Sequence, residues 1–194
     1  MRVFIKSIFW LISVFMYRIK IYGKENIPKE GAVLICPNHV HGLDSAVIIA
    51  HSKRKINVLA KAELFTGGIR EWFADLFGIF PIKQDSADID AIKTSLKILK
   101  NKEPLMIFPE GTRNGMAKGA PLKNGPIILA IKSGTPIIPV GIKGTFKFWS
   151  KIVIHIGEPI DYSQYKDKLK DKEFVSNLTK ELMDEVVRLR DLKK

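Results

Sequence analysis

The sequence predicts an α/β domain whose largely parallel or mixed sheet is flanked by helices. From residue 32 onward, short apolar runs alternate with longer amphipathic stretches, which is the order expected of successive strands and helices in one sheet. A length of 194 residues suits one domain with a real core, and 46% hydrophobic with 27% charged residues is ordinary globular composition. We therefore expect one folded α/β unit behind an N-terminal segment.

Five runs are predicted to be strands because each is short and apolar and is bounded by residues that favour turns. One contains Pro139, which lacks a backbone donor, so that strand is expected to be irregular or near an edge. Another alternates cleanly and points His155 outward. The predicted strands are Ala32–Cys36, Ile56–Ala60, Leu105–Phe108, Ile137–Ile142 and Ile152–Ile156.

The segments between these strands carry helical signals. Ser86 is placed to cap a helix that ends before Pro104, with lysines on its outer side. The core face of that helix is expected to hold Ile89, Ile92, Leu96 and Leu99. The other predicted helices are Asp44–Ser52, Glu63–Leu76, Gly125–Ser133 and Glu173–Leu192.

The first 20 residues are predicted to form a membrane-associating helix, which leaves residues 21–194 as the main domain. Val3–Tyr17 is apolar apart from one lysine and two serines. A helix of that length spans about 22 Å, short of the roughly 30 Å hydrocarbon core of a bilayer. A position within one leaflet, with Arg18 and Lys20 at the headgroups, fits this pattern. A cleaved signal peptide and a helix buried against protein are the alternatives.

Composition narrows the class of function. A net charge of +12 indicates an anionic partner, whether nucleic acid, acidic lipid headgroups or a phosphorylated substrate, although a merely solvated basic surface is also open. The one cysteine, Cys36, excludes a disulfide framework and a cysteine cluster for zinc, and its apolar run predicts a buried, inert thiol. Neither a P-loop nor a G-x-G-x-x-G motif occurs, so nucleotide chemistry lacks support.

Residues 38–44 read Asn-His-Val-His-Gly-Leu-Asp and offer a histidine with a carboxylate, the pair that a general base requires. His39 and Asp44 can meet only if the chain turns between them, which Gly42 permits. His41 could instead pair with Asp44 on a helix, or Asp44 could only cap that helix. No protein nucleophile stands out, so the histidine would activate a hydroxyl of the substrate, in direct transfer without a covalent intermediate.

A second polar cluster, Glu110-Gly111-Thr112-Arg113, follows the predicted strand Leu105–Phe108. Backbone amides, a hydroxyl and a guanidinium together suit a phosphate, although an ordinary turn with a solvated arginine is the alternative. Lys61 follows another strand and adds a charge. Because ligand sites gather at the carboxyl ends of parallel strands, we expect this cluster, Lys61 and the histidine segment to converge on one pocket.

These blocks, in this order, resemble the lysophosphatidate acyltransferases of the glycerolipid acyltransferase family. The resemblance covers about residues 21–160. It implies a glycerol-3-phosphate acyltransferase-like fold. The matching blocks are Asn38-His39-x4-Asp44, Lys61-Ala62-Glu63-Leu64-Phe65 leading to Gly78-Ile79-Phe80-Pro81-Ile82, Phe108-Pro109-Glu110-Gly111-Thr112-Arg113, and Pro136-Ile137-Ile138-Pro139-Val140.

The resemblance implies transfer of a fatty acyl group from acyl-CoA or acyl-ACP to the sn-2 hydroxyl of lysophosphatidate, with His39 as base and Asp44 orienting it. Glu110, Gly111, Thr112 and Arg113, with Lys61, would hold the acceptor's phosphate. No cofactor or metal is expected. The expected partners are the two substrates, an anionic membrane surface and acyl carrier protein, but not nucleic acid, and the expected location is the cytoplasmic face of the cell membrane, peripheral or monotopic.

Two positions depart from the family's usual pattern. His41 stands where serine is common, and Gln84 stands where arginine is common. Glycerol 3-phosphate, another lysophospholipid and a lyso-aminolipid therefore remain open as acceptors. A non-catalytic module that binds anionic lipid or nucleic acid is the alternative from another class.

Overall fold

A computed structural model of the chain describes residues 2–61, 79–82 and 87–193. In these residues the strands are β1 Arg18–Tyr22, β2 Leu34–Pro37, β3 Asn57–Lys61, β4 Ile79–Ile82, β5 Leu105–Met106, β6 Ile137–Lys143 and β7 Lys151–Ile156. The helices are α1 Arg2–Met16, α2 Asp44–His51, α3 Ala87–Lys100, α4 Gly125–Ser133 and α5 Lys172–Asp191. The predicted helix Glu63–Leu76, the cap Ser86 and Gln84 lie outside the described residues.

The strands form one sheet in the order β1-β7-β6-β2-β5-β3-β4. All neighbouring pairs are parallel except β6 and β7. The prediction of an α/β fold with a largely parallel or mixed sheet is thus confirmed. Because β2, β5 and β3 are adjacent and parallel, the segments that follow them leave the sheet at one edge, which we call the carboxyl edge.

Apolar side chains cover both faces of the sheet. Helix α2 contributes Val47, Ile48 and Ile49 to the core on one face. Helices α3, α4 and α5 cover the other face, with Leu99, Ile131 and Leu182 among their buried side chains. Helix α4 has the predicted bounds and ends at Gly134, whose φ of 64° suits a glycine that closes a helix.

The N-terminal helix ends at Met16, earlier than the predicted boundary at residue 20. Residues 18–22 instead pair in parallel with β7, so Arg18 and Lys20 belong to the sheet. Ile19 and Ile21 pack against the core while the two cations stay exposed, an alternation of period two that favours a strand. In the part of the chain described, no helix combines the length and apolar character needed to cross a membrane.

The expectation that Pro139 marks an irregular or edge strand is wrong, because β6 lies between β2 and β7. The antiparallel ladder with β7 begins only at Val140. The carbonyl of Pro139 points toward Gly157, beyond the end of β7, where it accepts a hydrogen bond of 2.9 Å. The nitrogen of Pro139 points to the same side, so its missing proton removes no rung of that ladder.

Two side chains lie on the opposite side from the predicted one. Ile89 is 66% exposed because the buried face of α3 is centred on Ser95, whose hydroxyl is satisfied by the carbonyl of Ala91 at 2.7 Å. His155 is only 4% exposed because β1 covers it, and its ring stacks on Tyr22 at 5.0 Å between centroids. A hydrophobic pattern places neither side chain correctly, because Ser95 is polar although it is buried, and β1 is distant from His155 in sequence.

Candidate active site

The predicted convergence at the carboxyl edge is present for the two polar loops. Residues 38–43, which we call the histidine turn, follow β2, and residues 107–115, which we call the glycine loop, follow β5. Lys61 is the last residue of β3, on the far side of β5, and only its backbone is described. The described part of the site is therefore built from the segments that follow two neighbouring strands, β2 and β5.

Asn38 anchors the histidine turn to the sheet. Its side chain is 2% exposed. Its amide nitrogen donates to the carbonyl of Ile142 at 2.9 Å, while its oxygen accepts from the amide of Ile142 at 2.6 Å. The side chain thus replaces one rung of β-pairing to β6, and it fixes where the turn leaves β2.

His39 and Asp44 meet across the turn. The distance from His39 Nδ1 to Asp44 Oδ2 is 2.8 Å. An ionised carboxylate only accepts, so Nδ1 carries the proton and Nε2 keeps its lone pair. The Asp44 side chain is fully buried and that of His39 is 20% exposed. The imidazole is also stacked on Phe108 at 4.1 Å between centroids. One ring nitrogen is held and the other can accept a proton.

Asp44 organises the whole turn. Besides His39, its Oδ2 atom accepts from the amides of Val40 at 2.7 Å and His41 at 2.8 Å. The carboxylate therefore points back into the turn rather than only capping α2. Gly42 has no positive φ, so the turn does not use the left-handed conformation that glycine allows. The hydrogen bonds to Asp44 close the turn instead.

His41 does not take the alternative role at Asp44. Its Nδ1 atom accepts from the amide of Leu43 at 3.2 Å, which places the ring proton on Nε2. Its ring stacks on Phe146 at 4.7 Å between centroids, with 14° between the planes. The ring nitrogen of His41 that could accept a proton is already occupied, so the geometry favours His39 over His41 as base.

Glu110 joins the glycine loop to the histidine turn. It is 4% exposed. One carboxylate oxygen accepts from the amide of His39 at 2.8 Å and the other from the amide of Met116 at 2.9 Å. The amide of Asn114 donates to the carbonyl of His39 at 2.7 Å, so both backbone polar groups of His39 are held. Both carboxylate oxygens of Glu110 are thus already occupied by backbone amides, which favours a role in joining the two loops.

The remaining residues of the cluster are open to a ligand. Gly111, Thr112 and Arg113 are exposed, and Gly111 has a φ of 65° that favours glycine. A Cβ atom built on Gly42 would lie 3.9 Å from Arg113 Nη1, which places the guanidinium beside the histidine turn. An exposed cation thus lies next to the candidate base.

Cys36 offers no competing nucleophile. It is fully buried in β2, and burial raises the pKa of its thiol. A thiol that stays protonated does not attack an acyl group. The prediction of an inert cysteine is confirmed.

Comparison with known proteins decides the family. The sequence model described as Acyltransferase matches residues 18–143. The chain belongs to the acyltransferase family. The acyltransferase is 30% identical to the 1-acyl-sn-glycerol-3-phosphate acyltransferase of Borreliella burgdorferi, over 97% of its own length and 76% of that protein. It is 29% identical to the protein of the same name from Bacillus subtilis, over 89% and 88% of the two chains.

A solved structure shares the fold. The crystal structure of the 1-acyl-sn-glycerophosphate acyltransferase PlsC from Thermotoga maritima matches with a TM-score of 0.74 and 23% identity. The match covers 99% of this chain and 81% of that one. The family model and the named relatives identify the enzyme class, an O-acyltransferase, that the sequence blocks predicted, and the solved structure supports the fold.

Replacing Glu110 with glutamine in the acyltransferase is expected to weaken the connection between the glycine loop and the histidine turn. The amide group of glutamine would face a backbone donor, so one buried hydrogen bond to a charged group is lost. We expect the free energy of unfolding to fall by about 1.5–3 kcal/mol, measured by urea denaturation, and kcat to fall with it. Glu158→Gln, at an exposed glutamate, is the matched control and should change neither. If Glu110→Gln keeps the wild-type stability and kcat, Glu110 does not hold the glycine loop to the histidine turn.

Several site residues carried no sequence signal for their actual roles. Phe108 looked like the end of a strand but stacks on His39, the candidate base. Asn38 was seen only as part of a polar cluster, although it locks the turn to β6. The common cause is that each acts on a partner about 70 or more residues away in the chain, which a local pattern does not record.

Proposed function

We propose that the enzyme transfers a fatty acyl group from acyl-CoA or acyl-ACP to the free sn-2 hydroxyl of lysophosphatidate, giving phosphatidate. The observation that carries the proposal is the 2.8 Å contact of His39 with Asp44, beside the exposed Arg113. A base with a cation beside it suits an acceptor that carries both a hydroxyl and a phosphate, and this supports the proposal. The names of the relatives from Borreliella burgdorferi and Bacillus subtilis support the same acceptor.

In the first step, His39 Nε2 takes the proton of the acceptor's hydroxyl. The resulting imidazolium is stabilised by Asp44, which already holds Nδ1. The oxygen forms a bond to the thioester carbonyl carbon, and the carbonyl becomes an oxyanion. No acyl-enzyme is required, because the nucleophile belongs to the substrate.

In the second step, the tetrahedral intermediate collapses, and the carbon–sulfur bond breaks. The leaving thiolate takes the proton that His39 holds, and an ester remains on the acceptor. The amides of Val40 and His41 are not available to the oxyanion because they donate to Asp44. The amides of Thr112 and Arg113 donate to no described residue, so the glycine loop is the better source of oxyanion donors, a role typically worth ~2.7–4 kcal/mol.

Arg113 is assigned to the acceptor's phosphate, and its replacement tests the proposed acceptor. Arginine binds phosphate through paired charged hydrogen bonds, so Arg113→Ala should lower kcat/KM for lysophosphatidate by about 10–100-fold. For monoacylglycerol, which lacks the phosphate, kcat/KM should stay within about twofold of the wild-type value. Lys118→Ala, at another exposed cation of the region, is the matched control.

A panel of acceptors completes this test. Wild-type enzyme should use lysophosphatidate with the highest kcat/KM in a set that also holds glycerol 3-phosphate, lysophosphatidylcholine and a lyso-aminolipid. Preference for an acceptor without a free phosphate monoester, or an equal loss on all acceptors in Arg113→Ala, would overturn the assignment. The reaction class would stand in either case.

A membrane location is part of the proposal. Leu11 and Phe15 on α1 are 62% and 74% exposed, which is unusual for large apolar side chains that have no partner in lipid or protein. We assign α1 to the interface of the membrane that holds the lipid acceptor, on the cytoplasmic face, where both acyl thioesters occur.

A further inference from the structure

The loop between β6 and β7, residues 144–150, carries two adjacent aromatic side chains that are largely exposed. Phe148 is 67% exposed and Trp149 is 55% exposed. Two large neighbouring aromatic rings in water form an apolar patch of the kind that marks a contact surface. This loop has no part in the proposed chemistry, so the exposure calls for another cause.

The loop is held in place rather than merely extended into solvent. The amide of Trp149 donates to the carbonyl of Met16 at 2.8 Å, and Arg18 Nε donates to the carbonyl of Trp149 at 3.2 Å. Phe146 and Trp149 have φ values of 52° and 58°, a conformation that bulky residues rarely adopt. These hydrogen bonds therefore hold in place a loop whose side chains of Phe148 and Trp149 are exposed.

These bonds place the loop against the end of α1. Phe15 and Met16, at that end, are 74% and 36% exposed. The exposed end of the helix and the exposed aromatic rings of the loop are therefore neighbours. We call the exposed apolar residues of these two segments the aromatic rim: Leu11, Phe15, Met16, Phe148 and Trp149.

The charged residues near the aromatic rim indicate which kind of surface would bind it. Arg18 and Lys151 are paired in the register of β1 and β7, and both are exposed. Lys147 lies in the loop itself and is exposed. No aspartate or glutamate occurs in α1, β1, the loop or β7. The nearest carboxylate that the described residues show is Asp191, which is paired with Lys143 just before the loop. Apolar rings with cations beside them match an anionic bilayer, whose headgroups attract the cations and whose interface accepts tryptophan and phenylalanine.

The same loop reaches the histidine turn through His41. Phe146 is 8% exposed, and its ring stacks on His41 and meets the edge of Tyr17 at 5.7 Å between centroids. His41 stands two residues from His39 in the histidine turn. If the loop inserts into a membrane, the depth of insertion therefore also sets the distance between the histidine turn and the membrane surface.

We propose that Phe148 and Trp149 insert into the interfacial region of an anionic bilayer. The β6–β7 loop is then a second membrane contact beside α1, and it presents the histidine turn to acceptors at headgroup level. This inference deepens the proposed function and rests on it, because a lipid acceptor gives the contact its use.

The buried Cys36 makes a site-specific test possible, since a thiol reagent reaches an introduced surface cysteine first. Phe148→Cys, Phe15→Cys and Ile89→Cys are each labelled with an environment-sensitive fluorophore in the full chain. Ile89 is the control, an exposed apolar residue on the opposite face of the sheet. With vesicles of phosphatidylglycerol and phosphatidylcholine, the labels at positions 148 and 15 should shift to the blue, and the label at 89 should not.

A second readout uses unlabelled variants. The double variant Phe148→Ser/Trp149→Ser should bind these vesicles about tenfold more weakly, and Ile89→Ser should bind like the wild type. The double variant should also lose activity on lysophosphatidate in vesicles while keeping it on a short-chain, water-soluble lysophosphatidate. Equal losses on both acceptors would overturn the proposal, because they would show damage to the site itself.

Three other outcomes also overturn it. A shift at position 15 without one at 148 would leave α1 as the contact and remove the loop. A change at 148 that follows protein concentration without vesicles would show that a second copy of the chain covers the rim. No shift at any label would exclude both contacts. Failure to form phosphatidate with the shift at 148 intact would instead refute the proposed acceptor and leave the membrane contact standing.

Discussion

Replacing His39 with alanine is expected to lower kcat for acyl transfer by about 10²–10⁴-fold, the range that a general base contributes. The variant removes the ring nitrogen that takes the hydroxyl proton. Folding should change little, since the backbone bonds of residue 39 to Glu110 and Asn114 do not need the side chain. The measurement is single-turnover acyl transfer with saturating thioester, alongside urea denaturation.

His41→Ala is the matched control for this variant. His41 has its Nδ1 atom occupied by the amide of Leu43 and stacks on Phe146, so its loss should cost less than about tenfold in kcat. Activity that survives in His39→Ala but disappears in His41→Ala would move the base to His41. Equal losses in both would mean that the variants disturb the turn rather than remove a base.

Asp44→Asn is expected to have the second large effect, a fall in kcat of about 10²–10⁴-fold with a much smaller loss of stability. If the amide oxygen takes the position of Oδ2, it still accepts from the His39 ring and from the amides of Val40 and His41. The negative charge that stabilises the imidazolium is gone, however. The free energy of unfolding should fall by no more than about 1–3 kcal/mol.

The two readouts separate catalysis from folding. Asp44 is fully buried and holds three donors, so a purely structural role would lower stability and leave kcat per folded molecule near the wild-type value. That result, or a kcat within tenfold of the wild type, would contradict the orienting role. Asp44→Ala is less informative, because it leaves all three donors without their acceptor.

Sequence patterns predicted the bounds of a helix well where the residues that begin and end it lie in or next to it. Helix α4 has a proline in its first turn and is closed by Gly134, and both signals stand in the sequence of the helix or beside it. Helix α5 was predicted one residue late at each end. Its start is set by Asp171, whose side chain caps the helix by accepting from the amide of Phe174. In both, the residues that end the helix are neighbours of the helix itself.

Elements that depend on distant partners were missed or misjudged. Strand β1 follows α1 after one residue and is completed only by β7, 133 positions further along the chain. Without β1, nothing in the sequence showed that His155 is covered. The contact between His39 and Asp44 could be predicted because the two residues are close in sequence, whereas Glu110 reaches His39 across 71 positions.

The most direct test of the central claim is product formation by the purified full chain. Lysophosphatidate is supplied in anionic vesicles with acyl-CoA or acyl-ACP, and phosphatidate is identified by mass spectrometry with the new acyl group at the sn-2 position. The account predicts phosphatidate from the wild type and almost none from His39→Ala at equal amounts of folded protein. No phosphatidate with either donor, or equal amounts from the two proteins, would contradict it.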